Sequence, residues 1–106
     1  MFQASYDLLR DIHLARRTFA KTEKYSLGEA LERSVLDILL HITDAGRMKH
    51  EWKVAAIDQA LRELERAKIL MRLAWDLQQI NDRRMSLWQE AAQKIGRMLG
   101  GWRKVA

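Results

Sequence analysis

The sequence predicts an all-α protein that folds as an antiparallel, up-down-up-down four-helix bundle. Apolar residues recur about every 3.6 positions along the chain, and no segment shows the alternating pattern of a β-strand. The connections between the four periodic segments are short, at residues 22–25, 47–50 and 81–85, which favours antiparallel neighbours. A length of 106 residues predicts one domain over residues 1–106.

The first helix is predicted over residues 5–21. Its apolar side carries Leu8, Ile12, Ala15 and Phe19. Its opposite side carries a stripe of basic residues and histidine, namely Arg10, His13, Arg17 and Lys21. This stripe is interpreted either as a solvated face or as a ridge that faces phosphate groups or a partner.

The second helix is predicted to begin with a capping box, in which Ser26 and Glu29 satisfy each other's free backbone amides. It runs to about Ala45 and is followed by Gly46. Its core stripe is Leu27, Leu31, Val35, Ile38, Leu39 and Ile42. Leu36 and Leu40 lie outside that stripe, which indicates a second contact surface within the bundle or between subunits.

The third helix is predicted over residues 51–80 and is apolar on two sides. One face carries Val54, Ile57, Leu61, Leu64, Met71 and Trp75. The other side of its second half carries Ile69, Leu70, Leu73, Leu77 and Ile80. A helix that is apolar almost all round is normally buried all round. Together with Leu36 and Leu40, this second side is therefore predicted to form an interface between copies of the chain.

The fourth helix is predicted to begin with a second capping box, from Ser86 to Gln89. Its apolar side carries Leu87, Ala91, Ile95, Met98, Leu99 and Trp102, and its other side carries Lys94, Arg97 and Lys104. Gly96 and Gly100 are four residues apart and share a ridge, which favours the close approach of a neighbouring helix or partner.

The composition limits the classes of function. The chain has no cysteine, which excludes disulfides and cysteine nucleophiles, and no apolar run of the length that a membrane span needs. No signal-peptide pattern opens the chain, so a cytoplasmic location is predicted. Glu-x-x-His pairs, His-x-x-x-His pairs and phosphate-binding glycine loops are absent. We therefore expect a protein that is not an enzyme and has no metal or cofactor.

The net charge of +5 favours a polyanionic partner. The candidate nucleic-acid or partner-binding residues are Arg10, Arg17, Lys21, Arg62, Arg66, Arg83, Arg84, Arg97, Arg103 and Lys104. Trp52, Trp88 and Trp102 are close in sequence to several of them, as in surfaces that bind bases and phosphates together. Trp75 and Trp102 are instead predicted to belong to the core. A structural oligomer that uses its charge only for solubility remains an alternative.

Several segments together resemble a known family. They are Tyr6-Asp7-Leu8-Leu9, Tyr25-Ser26-Leu27-Gly28-Glu29, Leu36-Asp37-Ile38-Leu39 and Ile95-Gly96-Arg97-Met98-Leu99-Gly100-Gly101-Trp102. The set resembles the accessory variability determinant (Avd) proteins of diversity-generating retroelements, and the closing segment is its most specific part. It is also similar to the four-helix-bundle proteins encoded in intervening sequences of bacterial 23S ribosomal RNA, which offers a ribosomal-RNA-associated alternative.

The resemblance to Avd proteins implies a basic, barrel-shaped homopentamer of four-helix bundles. It also implies binding to the reverse transcriptase of the retroelement and to its template RNA, with cDNA or an RNA–DNA hybrid as further ligands. The accessory protein of that family has no catalytic activity, because the reverse transcriptase carries out the error-prone synthesis of cDNA.

Overall fold

The computed structural model describes residues 1–106 and contains helices but no strands. Its elements are α1 (Phe2–Arg16), α2 (Lys21–Lys24), α3 (Leu27–Ala45), α4 (His50–Asp76) and α5 (Asp82–Val105). The four long helices pack in a closed order, in which α1 contacts α3, α3 contacts α4, α4 contacts α5 and α5 contacts α1. The predicted all-α four-helix bundle is confirmed. No helix combines the length and apolar character that crossing a membrane requires.

The core of the bundle is a cluster of 23 buried residues, drawn from all four long helices together with Phe19 and Ile80 from the connections. Most of the predicted apolar stripes belong to it, because a 3.6-residue period keeps their side chains on the inward face. The buried Ser34 joins α3 to α4, since its hydroxyl donates to the backbone oxygen of Glu63 at 3.1 Å. The bundle is elongated, with dimensions of 44 × 22 × 19 Å, so its two ends are well separated.

The end of the first predicted helix and the cap of the second need correction, whereas the second helix runs over Leu27–Ala45 as predicted. The helix predicted over residues 5–21 ends at Arg16, and the one-turn helix α2 follows it. The capping box at Ser26 is wrong, because the Ser26 hydroxyl donates to the Thr22 carbonyl at 3.0 Å and does not cap α3. Ser26 therefore closes the turn that follows α2.

The connection between α4 and α5 also differs from the prediction. Helix α4 ends at Asp76 because Gln78 adopts a left-handed conformation with φ 60°. The amides of Gln78 and Gln79 donate to Trp75 and Ala74 carbonyls at 2.9 and 2.8 Å, which is a Schellman motif. The capping box at Ser86 is wrong as well. The cap of helix α5 lies five residues earlier, where the Asn81 side chain accepts a hydrogen bond from the Arg84 amide at 2.8 Å.

Trp75 and Trp88 have environments opposite to those predicted for them. Trp75 is 40% exposed, and its indole nitrogen donates to the Asp82 carboxylate at 2.8 Å. Trp88 is the largest fully buried side chain, 1% exposed, and its indole donates to Asp11 on α1. Trp102 is partly buried and packs against the core. The core assignment is therefore wrong for Trp75, and Trp88 cannot contact a nucleic acid.

Arg16 connects three helices at one end of the bundle. Its Nε donates to the carbonyl of Lys24 at 2.7 Å, and its guanidinium lies 3.5 Å from the Glu32 carboxylate. The same guanidinium lies 5.8 Å from the centroid of the Tyr25 ring. Gly28 gives this side chain its room, because a Cβ there would lie 2.8 Å from Arg16 Cγ. The arginine and the glycine thus fix α2 between α1 and α3.

Candidate nucleic-acid interface

The predicted basic residues are at the surface, but one chain does not gather all of them on one face. Nine of the ten are exposed and Arg84 is half-buried. Arg10, Arg66 and Arg103 lie within 4.0 Å of a carboxylate. The other seven have no such partner and are Arg17, Lys21, Arg62, Arg83, Arg84, Arg97 and Lys104. They fall into groups on different parts of the bundle.

One group, which we name the α4–α5 face, lies on the adjacent helices α4 and α5 and consists of Arg62, Arg66, Arg97, Arg103 and Lys104. Two contacts set the register of these helices. Arg103 makes a two-pronged ion pair with Asp58, at 2.6 and 3.3 Å. A Cβ on Gly96 would lie 3.3 Å from the Leu64 side chain, so the glycine allows the helices to pack closely.

The ion pair on this face also lowers the pKa of the Asp58 carboxyl group. The hydrogen bond from Arg103 holds the pKa of Asp58 below its ordinary value of 3.8, and the positive charges of Arg103 and Arg62 act in the same direction. Asp58 therefore stays ionised in mild acid. The ion pair partly neutralises Arg103 and leaves Arg62, Arg97 and Lys104 as the unpaired cations of the face.

A second group lies at the end of the bundle where α1 finishes and α5 begins. It consists of Arg17, Lys21, Arg83 and Arg84. The side chain of Gln79 holds the two connections together, because its Oε1 accepts a hydrogen bond from the Ala20 amide at 2.7 Å. Arg10 belongs to neither group, since it lies on α1 beside Asp7.

The sequence prediction missed a third basic surface, the α3–α4 corner, which we define as residues 47–53. It contains Arg47, Lys49 and Lys53 with a single acid, Glu51, and none of the three cations is in an ion pair. Trp52 in this corner is 69% exposed. The sequence signal is three cations and a tryptophan within seven residues, which the predicted connection at residues 47–50 and the predicted start of the third helix divide between two elements.

The residues predicted at an interface between copies have different environments. Leu40, Ile69, Leu73 and Leu77 are exposed, and Leu36 and Leu70 are half-buried. Ile80 is wrong as an interface residue, because it is 7% exposed and belongs to the core. The chain turns away after Asp76, so Ile80 points inward from the connection and does not continue the outer face of α4.

Two separate apolar surfaces are exposed on different helices. The outer α4 surface carries Ile69 and Leu73, one helical turn apart. The α1–α3 groove has a volume of about 310 Å³ and is lined by Tyr6, Leu9, Arg10, His13, Glu32 and Leu36. Phe2 stacks on Tyr6 with the ring centroids 6.2 Å apart, which extends the aromatic surface of α1. Because α1 and α4 are not neighbours in the bundle, the two surfaces face different directions.

Comparison with protein families places this chain in a known group. The family described as bAvd-like matches residues 1–106, which is the whole chain. The chain belongs to the bAvd-like family. The resemblance to Avd proteins is thereby confirmed, and the chain is an accessory protein of the Avd type. A search of curated proteins gave no match.

No group of three or more histidine, aspartate or glutamate side chains is placed to hold a metal ion. The His13 ring lies 2.9 Å from Glu32, where it joins α1 to α3 at the margin of the α1–α3 groove. Accessory proteins of the Avd type are generally noncatalytic.

Proposed function

We propose that this bAvd-like protein is a noncatalytic accessory factor of a diversity-generating retroelement. It binds the reverse transcriptase and the template RNA in the cytoplasm and supports mutagenic synthesis of cDNA. The match of the whole chain to the bAvd-like family carries the proposal. That match also favours the retroelement over an association with ribosomal RNA.

The basic surfaces supply a physical basis for binding RNA. Exposed cations without carboxylate partners keep their full field, and phosphate groups neutralise them while releasing condensed counterions. The α4–α5 face offers Arg62, Arg97 and Lys104 in this state. A cDNA strand or an RNA–DNA hybrid presents the same phosphates, so these surfaces accept the template and the product alike.

Assembly of several copies multiplies these surfaces. The outer α4 surface and the α1–α3 groove are different patches, so a contact between them is head-to-tail and not two-fold symmetric. Head-to-tail contacts close into a ring when the rotation between copies allows it. We therefore propose a homo-oligomeric ring, with the pentamer implied by the Avd resemblance as its expected size. A ring brings the cations of every copy into one array and raises the effective concentration of binding sites.

RNA binding tests the electrostatic part of the proposal. Fluorescence anisotropy with template RNA is expected to show affinity that falls steeply between about 50 and 200 mM salt. The Arg62→Gln/Arg66→Gln double variant is expected to bind several-fold more weakly. Its control is Lys68→Gln/Arg72→Gln, which removes the same charge from α4 at positions whose cations lie near Glu65 and Asp76.

The outcomes separate the candidate functions. Equal weakening by both double variants indicates a field effect of net charge alone and contradicts an interface at Arg62. A wild-type protein without RNA affinity leaves only the structural oligomer. Co-purification with a reverse transcriptase and its template RNA supports the retroelement role, whereas recovery of ribosomal RNA alone contradicts it.

A further inference from the structure

We propose that Trp52 forms a stacking site for an unpaired base at the α3–α4 corner, with Arg47 and Lys49 holding the adjoining phosphates. The inference rests on the proposed function and deepens it, because it names single-stranded nucleic acid as the ligand of this surface. It assigns the corner a role distinct from that of the α4–α5 face.

The environment of the indole ring is the first argument. Trp52 is the most exposed tryptophan of the chain, at 69%. Every other indole has a partner within the protein. Trp88 donates to Asp11, Trp75 donates to Asp82, and Trp102 lies 6.0 Å from the Lys53 ammonium. The Trp52 ring has neither a hydrogen bond nor an aromatic or cationic partner, so most of its surface is open to a ligand.

The charge around the ring is the second argument. The corner carries three cations and one anion, and none of the cations is neutralised by an ion pair. The contact between Lys53 and Trp102 places the last turns of α5 beside the corner. An exposed aromatic ring bordered by cations matches the chemistry of a nucleotide, in which a flat apolar base is joined to an anionic phosphate.

The surroundings of Trp52 favour a nucleic-acid base over a protein as its ligand. A protein-binding patch is a contiguous apolar surface, and this chain has such surfaces on α4 and in the α1–α3 groove. Trp52 is instead flanked in sequence by Glu51 and Lys53, with Lys49 and Arg47 preceding it. Duplex RNA keeps its bases stacked on each other, so an exposed indole gains contact only with unpaired nucleotides.

The test compares single-stranded and duplex RNA of the same length with the full chain. Stacking of one base on an aromatic side chain corresponds to a change in affinity of about 5- to 150-fold. Trp52→Ala is expected to weaken binding of a single-stranded oligouridine at least about fivefold and to leave duplex binding unchanged. Trp52→Phe is expected to restore most of the affinity because it keeps an aromatic face. Trp75→Ala is the control, since it removes a tryptophan of the opposite end.

Three results overturn the inference. If Trp52→Ala binds the oligouridine as well as wild type does, while salt and Arg62→Gln/Arg66→Gln still weaken binding, the stacking site is absent and the proposed function stands. If Trp52→Ala lowers the mass of the assembly, Trp52 belongs to a contact between copies. If the wild-type chain binds no RNA, the proposed function fails and the stacking site fails with it.

Discussion

At the scale of single residues, Gly28 shows how a motif can reflect packing rather than chemistry. Replacing it by alanine gains helix propensity, but the new Cβ would lie 2.8 Å from Arg16 Cγ. Arg16 is held by Lys24 and Glu32 and cannot move without losing those contacts. Overpacking outweighs propensity here, so Gly28→Ala is expected to lower the free energy of unfolding by about 1 kcal/mol.

Urea denaturation of a double-mutant cycle checks this origin of the effect. In an Arg16→Ala background the obstructing side chain is gone, and Gly28→Ala is expected to be neutral or stabilising. An equal loss in both backgrounds contradicts the steric explanation.

At Gln78, in contrast to Gly28, a substitution is expected to stabilise the protein, because the backbone conformation there is one that glycine adopts more readily than glutamine. Its φ of 60° places it in the left-handed region, at the position of the Schellman motif that glycine usually occupies. Its side chain makes no hydrogen bond that would be lost. Gln78→Gly is expected to raise the free energy of unfolding by about 0.5–1 kcal/mol. Gln78→Ala is the control, since alanine shares the steric cost. A gain in thermal stability from alanine as large as that from glycine contradicts the prediction.

At the scale of elements, the sequence predicts the interiors of the helices better than their ends. Interiors follow the 3.6-residue period because burial selects one face of each helix. Ends depend on single hydrogen bonds, which the residue pattern does not determine. Ser26 and Ser86 match the capping-box pattern, but neither side chain caps a helix, and the side chain that does so is that of Asn81. The four-residue helix α2 is too short to show a period. Its position depends on the contacts of Arg16, which the apolar pattern does not predict.

The pairing of α4 with α5 has an expected pH dependence. Asp58 has a pKa held below 3.8 by Arg103, so its stabilising contribution is present above its unfolded-state pKa. That contribution is lost as the pH falls through the lowered folded-state pKa. Wild type is therefore expected to exceed Asp58→Asn in urea midpoint near neutral pH, and the difference is expected to shrink below about pH 4.

The size of this difference distinguishes an ion pair from simple packing. Both side chains of the pair are solvent-accessible, so added salt is expected to reduce the difference at neutral pH. A difference that does not change with pH or salt indicates that the Asp58→Asn substitution disturbs packing and contradicts an electrostatic origin.

At the scale of the whole molecule, the candidate surfaces could be predicted only in part. Composition and helical period identify residues that are basic and exposed, but they do not indicate which of them lie together. The group of Arg17, Lys21, Arg83 and Arg84 depends on the hydrogen bond between Ala20 and Gln79, which are 59 residues apart. The period also placed Trp75 in the core, because it continues the inward stripe of α4. The helix ends immediately after it, and its indole instead reaches Asp82.

The two apolar surfaces lead to a prediction about assembly. The wild-type chain is expected to have a mass in solution several times its 12.5 kDa, because an exposed apolar face on α4 favours association. Ile69→Glu/Leu73→Glu is expected to be monomeric, as light scattering can measure. Leu14→Glu/Leu87→Glu introduces the same charges at exposed leucines outside both surfaces and is expected to remain assembled.

Mixing variants tests whether the contact is head-to-tail. A groove variant, Leu9→Glu/Leu36→Glu, is also expected to be monomeric, but it keeps an intact outer α4 surface. The Ile69→Glu/Leu73→Glu variant keeps an intact groove. When the two variants are mixed, the intact outer α4 surface of one can bind the intact groove of the other, and no further intact pair of surfaces remains. The mixture is therefore expected to yield dimers of twice the chain mass and nothing larger. If each surface instead paired with its own copy, each variant alone would remain dimeric through its undamaged surface, which contradicts a head-to-tail ring.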